Sequence, residues 1–493
     1  MDYIEALYEE LNKVYTEKGD LAYKSTGSFC LDFFSVVGGM RNTQKLVMPL
    51  FLKAFSENKL LAIKLLFYCR DVRGGLGERD IFRLILNFLG NFHPEVARQL
   101  IPFIPEYGRF DDYLVLLYTQ IKDDVINAIK EQLEKDIENK NNGKSISLLA
   151  KWLPSINTSN AEAREMANII AEGLGMNAEK YRKTLSYLRK GLIIENNLRT
   201  KDYTFDYDKV PSNAFHKYNE AFLRNDETKF NDFLSQVEKG EKKIKANTIF
   251  PYEIIRECSN LRYSKHLPEF KQKINILDLQ WKAIARSEYL SKCIVVRDGS
   301  GSMEWSPFGG VIPLDVATSL AILISEQLPA PFKDCFITFS SNPQLVKLLP
   351  GTIYDKFLQV EPYNECSNTN IQKVYDLLYN VAVKNNVKKE DMIEKVIIIS
   401  DMEFDYAVDN MSTFEAFKQK YADAGLEMPE LVFWNVASRH GTVPVTKNEN
   451  NVKLISGSSN KVMDLVMNNI SADPYDLMIQ AMEKYSFLND IKF

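Results

Sequence analysis

No apolar run in this 493-residue chain approaches the roughly 18 residues that a membrane-crossing helix needs, so a membrane-spanning protein is not expected. The opening residues, Met1 to Glu10, are acidic where a secretory leader is basic, and no leader is expected. Six cysteines stand at positions 30, 69, 258, 293, 335 and 366, far apart and mostly inside apolar runs, with no Cys-x-x-Cys pair. That excludes the usual spacing for structural zinc or dithiol redox chemistry and predicts reduced core thiols in a cytoplasmic protein. Poor apolar content is also lacking. With 45% hydrophobic and 26% charged residues, long disorder is excluded and most of the chain should fold.

What is present is too long for one core, so two or more domains are expected. The net charge of −5 hides an asymmetry. Residues 1–290 carry 43 Lys+Arg against 40 Asp+Glu, and residues 291–493 carry 18 against 26. A nearly neutral first part is no general polycation, but it permits the local basic patches that a nucleic-acid site requires.

From residue 1 to about 240 apolar residues recur at intervals of three and four, as in Leu46, Val47, Leu50, Phe51, Ala54 and Phe55. Breakers such as Gly74-Gly75-Leu76-Gly77, His93-Pro94 and Asn141-Asn142-Gly143 separate the segments. Many short helices without intervening strands predict antiparallel pairs stacked as an all-α, HEAT-like ring or solenoid, although no strict period is visible. Residues 241–290 mix basic, polar and helical signals and are expected to connect the domains. The predicted division is therefore 1–285 and 291–493.

Beyond residue 291 short, almost continuously apolar runs alternate with helical patterns: Cys293 to Val296, Cys335 to Phe339, Val396 to Ile399 and Leu431 to Val436. Strands apolar on both faces predict a doubly wound, Rossmann-like α/β domain, with Gln344 to Leu349 as an antiparallel edge strand. The first strand ends in Asp298-Gly299-Ser300-Gly301-Ser302, and the strand at 396–400 ends in Asp401-Met402-Glu403-Phe404-Asp405. In the usual strand order these two ends are neighbours at the topological switch point, where ligands collect. The loop before the helix at 370 can bring Thr369 to the same place. Asp298, Ser300, Ser302, Thr369 and Asp401 offer only carboxylate and hydroxyl oxygens, which suits Mg²⁺ or Mn²⁺ and fits zinc poorly. Such an ion keeps a position open for a partner's carboxylate or phosphate. Gly299 predicts a permissive loop, and Glu403 and Asp405 are either an extension of the metal shell or a solvated acidic loop end.

These five positions resemble the metal-ion-dependent adhesion site of von Willebrand factor A domains. A serine hydrolase would use Ser300, Asp401 and His440 in the chain order of α/β-hydrolases. However, Asp298 and Ser302 stand where the nucleophile elbow needs glycine, and His440 reads as a loop residue beside Gly441.

The first domain carries Arg70-Asp71-Val72-Arg73-Gly74-Gly75-Leu76-Gly77-Glu78-Arg79-Asp80, then Gly108-Arg109-Phe110-Asp111-Asp112, Leu149 to Pro154 and Tyr181 to Lys190. Ahead of an A domain, these phrases resemble the TROVE module of Ro autoantigen ribonucleoproteins. The resemblance implies a ring of helical repeats that binds small noncoding or misfolded RNA outside and single-stranded RNA ends in its hole. Physically, the Arg-Gly-Gly loop either cradles a phosphate with Arg73 and Arg79 or locks a helix turn through Asp71, Glu78 and Asp80. Residues 180–190 offer Arg182, Lys183, Arg189 and Lys190, with Tyr181 and Tyr187 for stacking, either as a phosphate-binding face or as a solvated helix surface.

The sequence thus predicts a monomeric, noncatalytic RNA-binding protein with a Mg²⁺ or Mn²⁺ site in its A-like domain. One alternative is an interaction scaffold that grips an acidic residue of a protein partner at the metal. The other is a metal-dependent phosphoryl-transfer enzyme, for which Glu403 is the one visible general base.

Overall fold

The computed structural model describes residues 3–17, 19, 21–287, 291–306, 310–364, 369–404, 413–447, 449–467 and 473–493. Cys366 and Asp405 lie outside the described residues. The chain groups into two compact units that do not follow chain order. One comprises Met1–Tyr68, Gly74–Leu76 and Ala246–Ser486; the other comprises Cys69–Arg73, Gly77–Lys245 and Phe487–Phe493. The change of sequence texture near residue 290 does not coincide with this grouping. Residues 246–287, read as a connection, contribute the helices Pro251–Leu261 and Phe270–Ala283 to the first unit.

The first unit is built on a six-stranded sheet. A short hairpin of β1 (Lys13–Tyr15) and β2 (Leu21–Tyr23) precedes it. The sheet strands are β3 (Cys293–Asp298), β4 (Cys335–Phe339), β5 (Leu345–Lys347), β6 (Lys395–Ser400), β7 (Glu430–Asn435) and β8 (Val452–Ser456). Their order is β5-β4-β3-β6-β7-β8, with β5 antiparallel to β4 and every other pair parallel. That is the doubly wound order expected for apolar strands linked by helices, and it makes β3 and β6 neighbours. Every residue of β3, β4 and β8 is buried, as in a parallel sheet covered on both faces.

The cover explains why the N-terminal segment joins this unit. Helix Pro313–Ser325 is mostly apolar and buried at every position, packing against both β3 and helix Pro251–Leu261. At the other end of the sheet, helix Phe29–Val36 buries every residue after Phe29 and packs on β8. The turn that follows comes so close that a Cβ on Gly38 would sit 2.7 Å from the Cα of Gly457. Gly38 N donates to Ser456 Oγ at 3.0 Å, and Ser456 Oγ donates to Phe34 O at 3.1 Å. Glycine at 38 is therefore a requirement of space.

The second unit is helical. Helices Ser212–Asn225 and Glu227–Glu238 pair around Tyr207, Phe215, Phe222, Phe230 and Phe233, whose rings pack 4.9–6.4 Å apart. The 110–112 turn is held by charge. Arg70 Nε bonds Asp112 Oδ2 at 2.8 Å, Arg83 Nε bonds Asp112 Oδ1 at 2.6 Å, and Arg109 Nη2 bonds Asp111 Oδ2 at 2.6 Å. Asp112 is fully buried, and its two arginine partners supply the counter-charge and hydrogen bonds that a buried carboxylate requires. Among the described residues cysteines 30, 69, 258, 293 and 335 are buried thiols outside any disulfide, and burial pushes the Cys30 and Cys293 thiols up to about 12. Among the described residues no helix is long and apolar enough to cross a membrane.

Candidate metal centre

Asp298 closes β3 and Asp401 follows β6, so parallel pairing places both at one edge of the sheet. Asp298 is fully buried. Its Oδ1 accepts from Ser300 N at 2.9 Å and its Oδ2 from Ser400 Oγ at 2.7 Å. The Oγ atoms of Ser300 and Ser302 are 3.0 Å apart, as the Asp-x-Ser-x-Ser turn requires if both hydroxyls serve one centre. Thr369 is buried, and its Oγ1 donates to Glu403 O at 3.0 Å, tying the Thr369 loop to the loop after β6. Asp401 Oδ1 accepts from Glu403 N at 3.2 Å, and its Oδ2 accepts from Arg439 Nη2 at 2.8 Å. Asp298 at the end of β3 and the loop segments that carry Ser300, Ser302, Thr369 and Asp401 therefore lie at the carboxyl-end edge of β3 and β6.

The carboxyl groups at this edge are crowded and buried. Burial, and then the negative charge of Asp401, push the Asp298 carboxyl up to about 6, against hydrogen bonds from Ser400 and Ser300. Burial also raises Glu403. Two buried carboxylates that interact repulsively gain most from a divalent ion, and the donors are hard oxygens. The residues thus fit Mg²⁺ or Mn²⁺. Among the described residues no group of three or more His, Cys, Asp and Glu side chains is arranged to hold a metal ion, so a histidine- or thiolate-rich metal site is not found there.

Several residues of the site were missed by sequence reasoning. Arg297, buried on β3, donates from Nε and Nη2 to Thr318 Oγ1 at 3.1 and 2.8 Å and also bonds Asn364 Oδ1 and Tyr363 O. Burial pulls its guanidinium down to about 10. It pins the 363–364 segment over Gly299, where a Cβ would meet Tyr363 O at 2.5 Å. The loop expected to be permissive is closely packed. The signal for Arg297 was a lone arginine in the apolar run Cys-Ile-Val-Val-Arg-Asp. Ser400, Arg439 and Glu17 carried no such signal.

The hydrolase arrangement is not formed: Ser300 Oγ faces Ser302, while His440 Nε2 lies 2.8 Å from Glu17 Oε1.

The structure also places the cations expected to bind RNA, all in the helical unit. Arg73 is exposed, with Nη1 donating to Glu106 O at 2.6 Å, and Arg79 pairs with Asp80 at 2.9 Å. In helix Ala178–Arg189, Arg182 and Lys183 are exposed, Lys183 paired with Glu179 at 2.7 Å, and Lys190 follows exposed. Arg189 instead turns inward and donates to Ala150 O, Ser155 Oγ and Leu153 O at 2.6–2.7 Å. Tyr181 is fully buried, with its hydroxyl donating to Pro154 O at 3.0 Å, and cannot stack on a base. Tyr187 is 44% exposed, with Lys140 Nζ 5.4 Å from its ring centroid and its hydroxyl donating to Asn141 Oδ1 at 2.7 Å.

Comparison with known proteins adds three findings. Residues 16–130 and 175–287 match the family described as Domain of unknown function (DUF2828), and residues 292–487 match Domain of unknown function (DUF7788). An uncharacterized protein of Acanthamoeba polyphaga mimivirus is 29% identical over 520 residues, covering 96% of this chain and 88% of that one. Among solved structures, the Ro (RSR) protein of Deinococcus radiodurans aligns with a TM-score of 0.43 and 12% identity, covering 95% of this chain and 96% of that one.

Proposed function

We propose that the protein acts by binding: its helical unit holds RNA, and its sheet edge holds a divalent cation that engages an anionic group of a partner. What supports the metal half is that Asp298 and Asp401, both buried, lie at the ends of paired strands, with the Ser300 and Ser302 hydroxyls 3.0 Å apart after Asp298 and Thr369 tied to the loop after Asp401. When bound, Mg²⁺ or Mn²⁺ would supply an open coordination position for a carboxylate or phosphate oxygen. The chain's own part is to hold two carboxylates in place against their repulsion, through Ser400, the backbone of Ser300 and Glu403, and Arg439.

We place binding ahead of phosphoryl transfer because Glu403, the visible general base, is buried and already accepts from Glu17 N at 3.0 Å. The RNA half rests on the Arg-Gly-Gly phrase and on the exposed Arg73, Arg79, Arg182, Lys183 and Lys190, in contrast to Arg70 and Arg189 of the same unit, which are engaged internally. The scaffold reading, in which an acidic residue of a protein partner docks at the metal edge, also has a specific support: a carboxylate of this same chain, Glu17, lies beside Arg439 there.

Calorimetric titration with Mg²⁺ and Mn²⁺ tests the metal half. Asp298→Ala and Asp401→Ala should abolish the binding heat, and Ser300→Ala, Ser302→Ala and Thr369→Ala should weaken it less, since water replaces a neutral donor more readily than a charged one. Equal heats for parent and Asp298→Ala would reduce the cluster to loop capping. RNA binding should survive all five changes.

A further inference from the structure

Arg439, His440 and Glu17 close one side of the carboxylate edge and are none of the five candidate ligands. Arg439 bridges two acids: Nη2 reaches Asp401 Oδ2 at 2.8 Å, and Nη1 lies 3.3 Å from Glu17 Oε2. The other carboxylate oxygen of Glu17 is 2.8 Å from His440 Nε2. One planar carboxylate thus meets two donors on adjacent residues, one for each oxygen. Arg439 Nε is buried and has no hydrogen-bond partner among the described residues, so its guanidinium is only partly satisfied by the present arrangement.

Glu17 arrives there on a strap. It lies in the turn between β1 and β2, held by Thr16 Oγ1 donating to Phe404 O at 2.6 Å and by Glu17 N donating to Glu403 Oε2 at 3.0 Å. Reciprocal backbone bonds between Tyr23 and Val443, at 2.9 and 3.0 Å, and Lys447 N to Thr26 O at 2.8 Å fix the rest of the strap along the loop that carries Arg439. The strap is anchored by its backbone and by a buried threonine. The Glu17 side chain itself is 51% exposed, and a half-exposed ion pair is weak and exchangeable.

We propose that Arg439 and His440 form an anion seat beside Asp401 for the side-chain carboxylate of an acidic peptide segment, and that Glu17 occupies this seat as an intrachain competitor. The inference rests on the proposed binding role of the same edge and names the ligand class. A singly charged, planar carboxylate fits two donors spaced for its two oxygens. A phosphate dianion would stand closer to like charge, because Asp401 and Glu403 line the same edge. Tethering gives Glu17 a high effective concentration, so the apparent affinity for an outside carboxylate is reduced by the fraction of seats that Glu17 fills.

The test uses the full chain and a fluorescent, terminally blocked Gly-Gly-Glu-Gly-Gly peptide followed by anisotropy, with the Gln peptide as control. Glu17→Gln should tighten binding of the Glu peptide about tenfold and leave the Gln peptide weak. Adding Arg439→Lys to Glu17→Gln keeps the charge but loses the fork, and should return affinity toward that of the parent. The lysine change guards against misfolding, and circular dichroism checks each variant. Equal affinity of parent and Glu17→Gln for the Glu peptide overturns the proposal, as does equal binding of the two peptides. Stronger competition by inorganic phosphate than by acetate overturns the carboxylate assignment. Each titration is run with and without Mn²⁺. A Glu17→Gln gain in a protein that binds no Mn²⁺ would retain the seat and remove the metal reading, and Mn²⁺ binding without the gain would do the reverse.

Discussion

Ser400 Oγ donates to Asp298 Oδ2 at 2.7 Å, joining the last residues of two neighbouring strands. This hydroxyl favours the charged form of Asp298 while burial and Asp401 oppose it. Ser400→Ala should therefore raise the Asp298 pKa further. Because a cation competes with that proton, Mn²⁺ affinity should fall about tenfold at pH 6, in line with the loss of one hydrogen bond to a charged group, and fall less at pH 8. Titrations at the two pH values check this.

The same carboxyl gives the metal-free protein a pH signature. Its folded pKa, about 6, stands above the ordinary carboxylate value, so between about pH 4 and pH 6 the folded state holds more proton than the unfolded chain. Stability from this group is present below that window and is lost as pH rises through it. In EDTA, Asp298→Asn should gain stability relative to the parent as pH climbs from 4 to 7. Paired urea melts across that range measure the difference, and a pH-independent offset would count against the buried, repelled carboxylate.

Gly299 is held by space. A methyl group there would meet Tyr363 O at 2.5 Å and an Arg297 nitrogen at 3.1 Å, both parts of a packed network rather than a flexible chain end. Gly299→Ala should cost about 1–3 kcal/mol, as overpacking does, and should weaken Mn²⁺ binding by displacing the Ser300 turn. Denaturant unfolding and metal titration on one sample report both effects.

For RNA, the useful cations are those left outside. Replacing Arg182, Lys183 and Lys190 together with Ala should weaken RNA binding similarly across sequences. It should also flatten the salt dependence, by roughly 0.7 units of log–log slope for each single-strand phosphate that is no longer neutralised. Arg189→Ala should act differently, because it removes three hydrogen bonds to the 150–155 turn; its first effect should be on stability.

That contrast shows what the sequence could reveal. Tyr181, Leu185 and Leu188 are spaced as an apolar helical stripe and are the buried residues of helix Ala178–Arg189, so the inward face was legible. The inward turn of Arg189 was not, because its partners lie 34–39 residues earlier. The strand ends that carry Asp298 and Asp401 could be read because the preceding runs are almost purely apolar. The other parts of the centre, Glu17, Ser400, Arg439 and the 363–364 segment, depend on the meeting of distant segments, which leaves no local pattern. The hairpin at 13–23 escaped notice within a region of helical texture.

The sheet's outer parallel strand, β8, escaped for a different reason, and the reason is testable. Lys453 interrupts its apolar run, yet the side chain is fully buried, with Nζ 2.9 Å from Glu430 Oε1. Lys395 Nζ lies 3.0 Å from the other oxygen, so one carboxylate on β7 serves lysines on both neighbouring strands. Burial pulls Lys453 down to about 8 against the attraction of Glu430. Glu430→Gln should then cost about 3 kcal/mol at pH 7, since two largely buried ammonium groups lose their counter-charge. Lys453→Met should cost less than about 1 kcal/mol, because Lys395 still balances Glu430 and the thioether chain fills the same space. The pH dependence has a fixed sign. With its folded pKa below the unfolded value, Lys453 opposes folding below about pH 8, and this opposition fades as pH rises toward the ordinary lysine range. The parent should gain stability relative to Lys453→Met between pH 8 and about pH 10. Urea unfolding of parent, Glu430→Gln and Lys453→Met at about pH 7, pH 8 and pH 10 measures all three effects. A Lys453→Met loss as large as that of Glu430→Gln would mean that the ammonium group itself holds β8 in the sheet.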